Sequence, residues 1–435
     1  MKISRKKIYL DYAATTPVDK EVLKAMTPYF SEKFGNPGSL HSFGQEALKT
    51  IDESREKIAK TIGAGFREII FTGSATEANN LALRGAVKEL RIKNLEFRSS
   101  LYSQSSILNP RIIVSAIEHE SILETCRDLE REGVEIIYLP VNKQGIVDLE
   151  KLKKSLNEQT ILVSIMYANN EIGTIQPITE ISKLISEFRI QNAELRKESN
   201  SKFLIHNSEL AMALPLLHTD AVQAFQFLDC DVNPPAGGLG VDLMTLSAHK
   251  IYGPKGMGAL FIKQIQNSKF KILNSIITGG GQEFGLRSGT ENVPAIVGFA
   301  KAAELAVKNR EKETKRLTAI KDYFIKNIRK IHPRIEINSP EGNLCSPHIA
   351  NIYFPGHSSQ DLLIKLDLAG VAVSSGAACS ARAMKPSYVL KAIGLGEQKI
   401  KSSLRFSFGK FTTKKEIDET MKIIIKLLIK FKDDL

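Results

Sequence analysis

The strongest constraint on the fold is an alternation that runs through the first 250 residues. Strand-like runs at 67–71, 111–115, 134–139, 160–167 and 241–246 are separated by stretches with helical spacing. Examples are 45–62, with Ala47, Leu48, Ile51, Ile58 and Ile62 on one face, and about 78–90. Alternating strands and helices predict a mostly parallel sheet with helices on both faces. Polar residues gather just after these strands, at 72–77, 117–120, 168–173, 218–223 and 247–256. Sites in such sheets lie at the carboxyl ends of the strands. Shorter elements fill the rest: an extended segment at 8–16, helical pattern at 18–30, and a loop of turn formers at 34–44. The polar stretches 92–109 and 190–217 are expected to be loop insertions. A glycine-rich loop from Gly279 to Asn292 precedes a predicted long helix, about 293–331, and a smaller α+β unit closes the chain.

Composition narrows the class. With 435 residues, 43% hydrophobic and 25% charged, the chain reads as a soluble globular protein of two or three domains. No apolar run is long enough to cross a bilayer. The basic N-terminus Met1–Lys7 leads into a segment too short and polar for a signal peptide, so a cytoplasmic location is expected. Cys126, Cys230, Cys345 and Cys379 are far apart, which argues against a disulfide framework and against a metal site. The net charge of +12 sits largely in stretches such as 308–330 and 414–432, where acids are interleaved. They read as solvated helix faces, with no direct nucleic-acid contact expected.

Lys250, after the run 241–246 and between Ser247-Ala248-His249 and Ile251-Tyr252-Gly253-Pro254, is placed for carbonyl chemistry. A lysine amine whose pKa is lowered by neighbouring cations and a dry pocket can form a Schiff base with an aldehyde. Thr72-Gly73-Ser74-Ala75-Thr76-Glu77, a strand, turn and helix start, is the geometry that binds phosphate through free N–H groups and the helix dipole. Lys250, Asp220, the Ala75–Thr76 turn and His119 together suit pyridoxal phosphate. That group needs an amine for its aldehyde, an acid at the ring nitrogen, a phosphate cradle and a partner for the ring face. Singly each has an ordinary alternative: a helix cap for Thr76, a core histidine for His119, a turn residue for Asp220.

Nine stretches occur in the order found in one family: YLDYAATTPVD, FGNPGSLH, FTGSATEANN, VSIMYANNEIGT, HTDAVQ, SAHKIYGPKGMGAL, GGGQEFGLRSGTENV, VSSGAACSA and SLRFSFG. On them the chain resembles the cysteine desulfurases of the class V aminotransferase superfamily, in the longer-loop subgroup that serves iron–sulfur cluster assembly. The resemblance covers nearly the whole chain apart from the two insertions. It implies a fold-type I transferase dependent on pyridoxal phosphate, with a seven-stranded-type, mostly parallel sheet in a large domain (15–265). A smaller α+β domain (1–14 and 266–435) would carry the catalytic cysteine loop.

The site roles are likewise implied. Lys250 would hold the cofactor and Asp220 pair with its ring nitrogen. Gln223 and Asn170 would contact the ring oxygen, with Asn170 also near substrate. His119 would stack on the ring and move protons. Thr76, Ser247, His249 and the Ala75 backbone would bind phosphate, and Thr290 would reach the phosphate in the other subunit of a homodimer. Arg405 would clamp the substrate carboxylate, and Cys379 would take sulfur from L-cysteine as a persulfide, leaving alanine. Iron–sulfur scaffolds or other sulfur acceptors follow as partners, with no membrane expected, and transfer-RNA thiolation as a second destination. The sequence departs from the family pattern at Gly73-Ser74, Phe284, Ala377 and Lys410, none of which removes a named group. A selenocysteine lyase, another class V lyase or transaminase, and a silent homologue are the alternatives.

Overall fold

The structure is a computed structural model and describes residues 7–98, 109–198, 214–234, 237–264, 272–331, 333–376 and 386–429. Its strands are β1 (Ile8–Tyr9), β2 (Ile69–Thr72), β3 (Arg111–Ser115), β4 (Glu135–Leu139), β5 (Thr160–Ser164), β6 (Leu216–Asp220), β7 (Leu243–Ser247), β8 (Gly258–Ile262), β9 (Glu336–Ile337), β10 (Ile349–Tyr353), β11 (Val371–Ala372) and β12 (Ser403–Ser407). Seven of them form one sheet in the order β2-β8-β7-β6-β5-β3-β4. Only β8 runs against its neighbours, pairing antiparallel with β2 and β7. The expected mostly parallel, seven-stranded sheet is therefore present.

Side chains on these strands alternate between two apolar layers, as the strand period of two requires. On β8, Ala259 and Phe261 enter the layer with Ile58, Val163 and Phe299, whereas Leu260 and Ile262 enter the one with Leu81, Ile112 and Leu162. Both faces are covered, which is why β5, β6 and β7 read as near-continuous buried runs. The carboxyl ends of β2, β3, β5, β6 and β7 share one edge of the sheet.

A second core holds Ile8, Leu10, Phe324, Ile352, Phe406, Phe408 and Ile417. Around it lie the antiparallel sheet β12-β10-β9 and the parallel pair β1-β11. The helix Val293–Ile331 has the predicted bounds and joins the two cores: Ala295 to Ala306 pack on the large one, Leu317, Phe324 and Ile328 on the small one.

Several boundaries differ from expectation. The helix predicted at 78–90 spans Ala75–Arg98, and Ile178–Glu198 is a further helix, so the first part of each expected insertion is regular structure. Leu216 and Leu217, placed in the second insertion, open β6. Within the insertions, 99–108 and 199–213 lie outside the described residues. The pattern at 18–30 is two short helices, Lys20–Met26 and Pro28–Ser31. Asp19 caps the first through the Glu21 N–H, and Pro28 begins the second because it cannot continue an interior hydrogen-bond ladder. Among the described residues no helix is long and apolar enough to cross a membrane.

Candidate active site

A cavity of about 430 Å³ opens at the carboxyl edge of the large sheet. Its wall brings together Ala75, Thr76, His119, Asn170, Asp220, Gln223, Ser247, His249, Lys250 and Arg405. Ten residues proposed from sequence thus converge from segments between positions 75 and 405. Thr290 is exposed on the glycine-rich loop and is not on this wall. Cys379 lies outside the described residues.

Lys250 stands in a 3-10 turn, Ala248–Lys250, directly after β7. Its Nζ donates to the carbonyls of Ala13 (2.6 Å) and Ala14 (2.8 Å). The extended N-terminal segment therefore aims the amine. Asp220 ends β6, is buried, and accepts from Asn79 Nδ2 at 2.9 Å and the Val222 N–H at 3.0 Å.

His119 caps the helix Glu120–Arg131, its Nδ1 accepting from the Ser121 N–H at 3.1 Å. The proton of the neutral ring therefore sits on Nε2. Burial lowers the pKa of His119, opposed by the Asp220 charge and reinforced by Lys250. His249 Nδ1 lies 3.1 Å from Thr15 Oγ1, and burial, then Lys250 and Lys255, lowers its pKa to about 4. Behind them Glu118 accepts from the Met166 N–H at 2.6 Å, and its burial holds the carboxyl well above the usual range.

The helix Ala75–Arg98 begins on the cavity wall, so its first N–H groups and positive dipole end face the space. Ser74 Oγ caps it through the Glu77 N–H at 3.1 Å. Gly258 of β8 lies directly under this turn. A Cβ there would come within 2.6 Å of the Ser74 carbonyl carbon and 2.7 Å of the Ala75 nitrogen. At the opposite side Arg405, 1% exposed, donates to the Asn170 carbonyl and to Asp11 Oδ1, each at 2.7 Å. Arg405 Nε and Asn170 Oδ1 are buried without a hydrogen-bond partner. An anion at the helix terminus, an electrophilic carbonyl at Lys250 and a carboxylate near Arg405 match these donors. Among the described residues no cluster of His, Cys, Asp and Glu could hold a metal ion.

The glycine-rich loop is pinned to residues before and after β2 of the large sheet. Arg55 meets Glu283 in a buried bidentate pair, both bonds 2.7 Å, and Arg287 meets Glu77 at 2.8 Å. Phe284, where the family pattern has arginine, lays its ring 4.9 Å from the Arg55 guanidinium. Lys410, another departure, pairs with Asp19.

Sequence reasoning gave no role to Asp11, Ala13, Asn79, Ser121 or His348. Asp11 and Ala13 fall inside a motif quoted for the resemblance, so that motif was a signal for them. Asn79 lies inside another quoted motif and Ser121 directly after the polar stretch 117–120, but their mutual bond (Asn79 Nδ2 to Ser121 Oγ, 2.8 Å) bridges two helices and leaves no local pattern.

The model of the family described as Aminotransferase class-V matches residues 8–191 and 208–420. A cysteine desulfurase IscS of Dictyoglomus turgidum is 42% identical over 428 residues, covering 98% of this chain and 96% of that protein. One of Rickettsia rickettsii is 40% identical, covering 98% and 92%. The chain belongs to the class V aminotransferases, among the cysteine desulfurases. Solved structures agree: a NifS-like protein is 33% identical with a TM-score of 0.79, covering 97% of this chain and 99% of its own. The NifS-like protein from Rickettsia africae is 32% identical with a TM-score of 0.76, covering 97% and 99%. As in the cysteine desulfurases it resembles, the chain is an enzyme of sulfur transfer.

Proposed function

We propose that this desulfurase uses pyridoxal phosphate to remove sulfur from L-cysteine, giving L-alanine and a persulfide on Cys379. The observation that carries the reading is the convergence of Lys250, Asp220, His119 and Arg405 on one cavity whose floor is a helix N-terminus. The residues fit the cofactor. The Gly258 backbone makes room for the Ser74–Ala75 turn, and buried polar atoms of Asn170 and Arg405 await partners. When bound, the cofactor supplies an electron sink that makes the substrate's carbon–sulfur bond labile.

Each residue has a task within that frame. Lys250 Nζ, aimed by two carbonyls, holds the cofactor aldehyde, and Asp220 keeps the ring nitrogen protonated. Ala75, Thr76, Ser247 and His249 bind the phosphate, His249 as a neutral donor. Gln223 and Asn170 face the ring oxygen. His119 covers the ring and holds a proton on Nε2 for delivery to the product. Arg405 takes the substrate carboxylate with the N–H groups not given to Asp11 and Asn170. The Cys379 thiolate attacks the substrate sulfur. An S–S bond forms as the C–S bond breaks, and the carbon takes a proton to become alanine.

Residues 15–265 would form the cofactor-binding domain, and 1–14 with 266–435 the domain carrying Cys379. The exposed position of Thr290, on a loop held by Arg55 and Arg287, supports its use at the phosphate of a second subunit in a homodimer. The persulfide would pass to iron–sulfur scaffolds or other sulfur acceptors in the cytoplasm, with transfer-RNA thiolation as a further outlet.

The test is direct. Wild-type protein with cofactor and a reductant should release sulfide and alanine from L-cysteine in equal amounts. Lys250→Ala should lose the cofactor's visible band and at least about 99% of turnover, since the step depends on one nucleophile. A keto acid in place of alanine and sulfide would point to a transaminase and contradict the proposal.

A further inference from the structure

A buried polar chain runs from the cavity into the small domain. Gln223, 7% exposed and on the cavity wall, donates through Nε2 to the Ala13 carbonyl at 2.9 Å. That carbonyl also accepts from Lys250 Nζ. A carbonyl can only accept, so the Gln223 amide nitrogen must face it and the amide oxygen must face the other way. There Gln223 Oε1 meets His348 Nε2 at 3.1 Å. Oε1 is an acceptor, so His348 Nε2 must carry a proton. His348 Nδ1 lies 2.6 Å from Ser346 Oγ, whose backbone carbonyl accepts from the buried Lys321 Nζ at 2.8 Å. The imidazole is stacked on Phe227, with ring centroids 4.4 Å apart and planes at 28°.

Burial, then Lys321, Arg405 and Lys250, lowers the pKa of His348 to about 3, so the ring is neutral and bears one proton. That proton being on Nε2, Nδ1 accepts from the Ser346 hydroxyl. Every orientation from Gln223 through His348 to the Ser346 hydroxyl then follows from the Ala13 carbonyl at the cavity end.

We propose that His348 is a positioning residue that locks the Gln223 amide so that it presents an N–H, and never its oxygen, to the ligand. Gln223 Nε2 has two hydrogens; one goes to Ala13, and the second is left for the cavity. A flipped amide would turn Oε1 toward the Ala13 carbonyl and Nε2 toward the His348 N–H, placing like against like at both contacts. The locked donor selects a ligand with an anionic oxygen, which on the reading above is the ring oxygen of pyridoxal phosphate. The inference rests on that reading for the ligand, and on the hydrogen-bond pattern alone for the tautomer.

The experiment titrates the visible absorption of the intact holoenzyme with pH. A hydrogen bond to the ring oxygen favours its more negative, deprotonated form and so lowers the midpoint. His348→Leu, which keeps an apolar face for Phe227, should raise the midpoint by about one unit, a tenfold change in proton affinity. Gln223→Leu should raise it at least as far, and the double variant no further than Gln223→Leu alone. His348→Gln, which restores a donor to Gln223, should return the midpoint toward wild type. A wild-type midpoint in His348→Leu, or the same added shift in the Gln223→Leu background, would overturn the proposal. A second measurement reads the tautomer directly: proton–nitrogen NMR of histidine-labelled protein should show, besides the His119 ring, a neutral ring protonated at Nε2 and unprotonated at Nδ1, whose signals are missing from His348→Gln. A ring at this site protonated at Nδ1 would refute the lock. A wild-type protein with no visible band would contradict the cofactor reading, while the tautomer would still be decided by NMR.

Discussion

Arg405 donates two of its five N–H groups within the protein, to Asp11 and to the Asn170 carbonyl, and is almost fully buried. A buried guanidinium held on two sides cannot swing, so its remaining donors present a fixed fork to a carboxylate. Arg405→Lys should raise KM for L-cysteine by about tenfold or more, the worth of one charge-assisted bond of roughly 1.5–3 kcal/mol. Steady-state kinetics read it, and an unchanged KM would remove Arg405 from the substrate. Lys250, Asp220 and His119 were legible from sequence because each stands at or just past a strand end in a short polar stretch. The roles of Asp11, although its motif was quoted, and of His348 were not, because each consists of touching another side chain, 394 residues away for Asp11 and Arg405, and 125 for His348 and Gln223. No local spacing encodes such a contact.

The phosphate cradle belongs to the scale of elements. The helix Ala75–Arg98 presents its N-terminus because β2 delivers the chain to the Gly73–Ser74 turn and β8 leaves space beneath it. Gly258 is required there by close approach, since any Cβ would meet backbone rather than a movable side chain. Gly258→Ala should cost about 1–3 kcal/mol through overpacking and displace the turn. Titration of cofactor into the unloaded variant should show binding weakened about tenfold or more, and wild-type binding would mean the turn does not hold the phosphate. Element type was readable from periodicity, but ends, those of the helix Val293–Ile331 apart, were less so. Polar, helix-compatible residues carry the helices past 90 and 190, where the apolar pattern fades; the stop of an apolar stripe is not the stop of a helix.

At the scale of the molecule, the small unit sets Arg405 and the ends of the Cys379 stretch against the large sheet. Before that stretch, Ser374 pairs with Arg405 through backbone bonds of 3.1 and 2.7 Å. After it, Ser387 Oγ donates to Glu171, the neighbour of Asn170. Both ends are thus fixed beside residues of the cavity wall. The other three cysteines are buried, with thiol pKa values raised by that burial, to about 12 for Cys230. A protonated, enclosed thiol is a poor nucleophile. The central claim is therefore tested by locating the transferred sulfur. Protein incubated with L-cysteine, alkylated and digested should carry the extra sulfur on the peptide containing Cys379, and Cys379→Ser should retain the visible band while sulfide release falls to background. Extra sulfur on Cys126, Cys230 or Cys345, or sulfide release that survives in Cys379→Ser, would contradict the account.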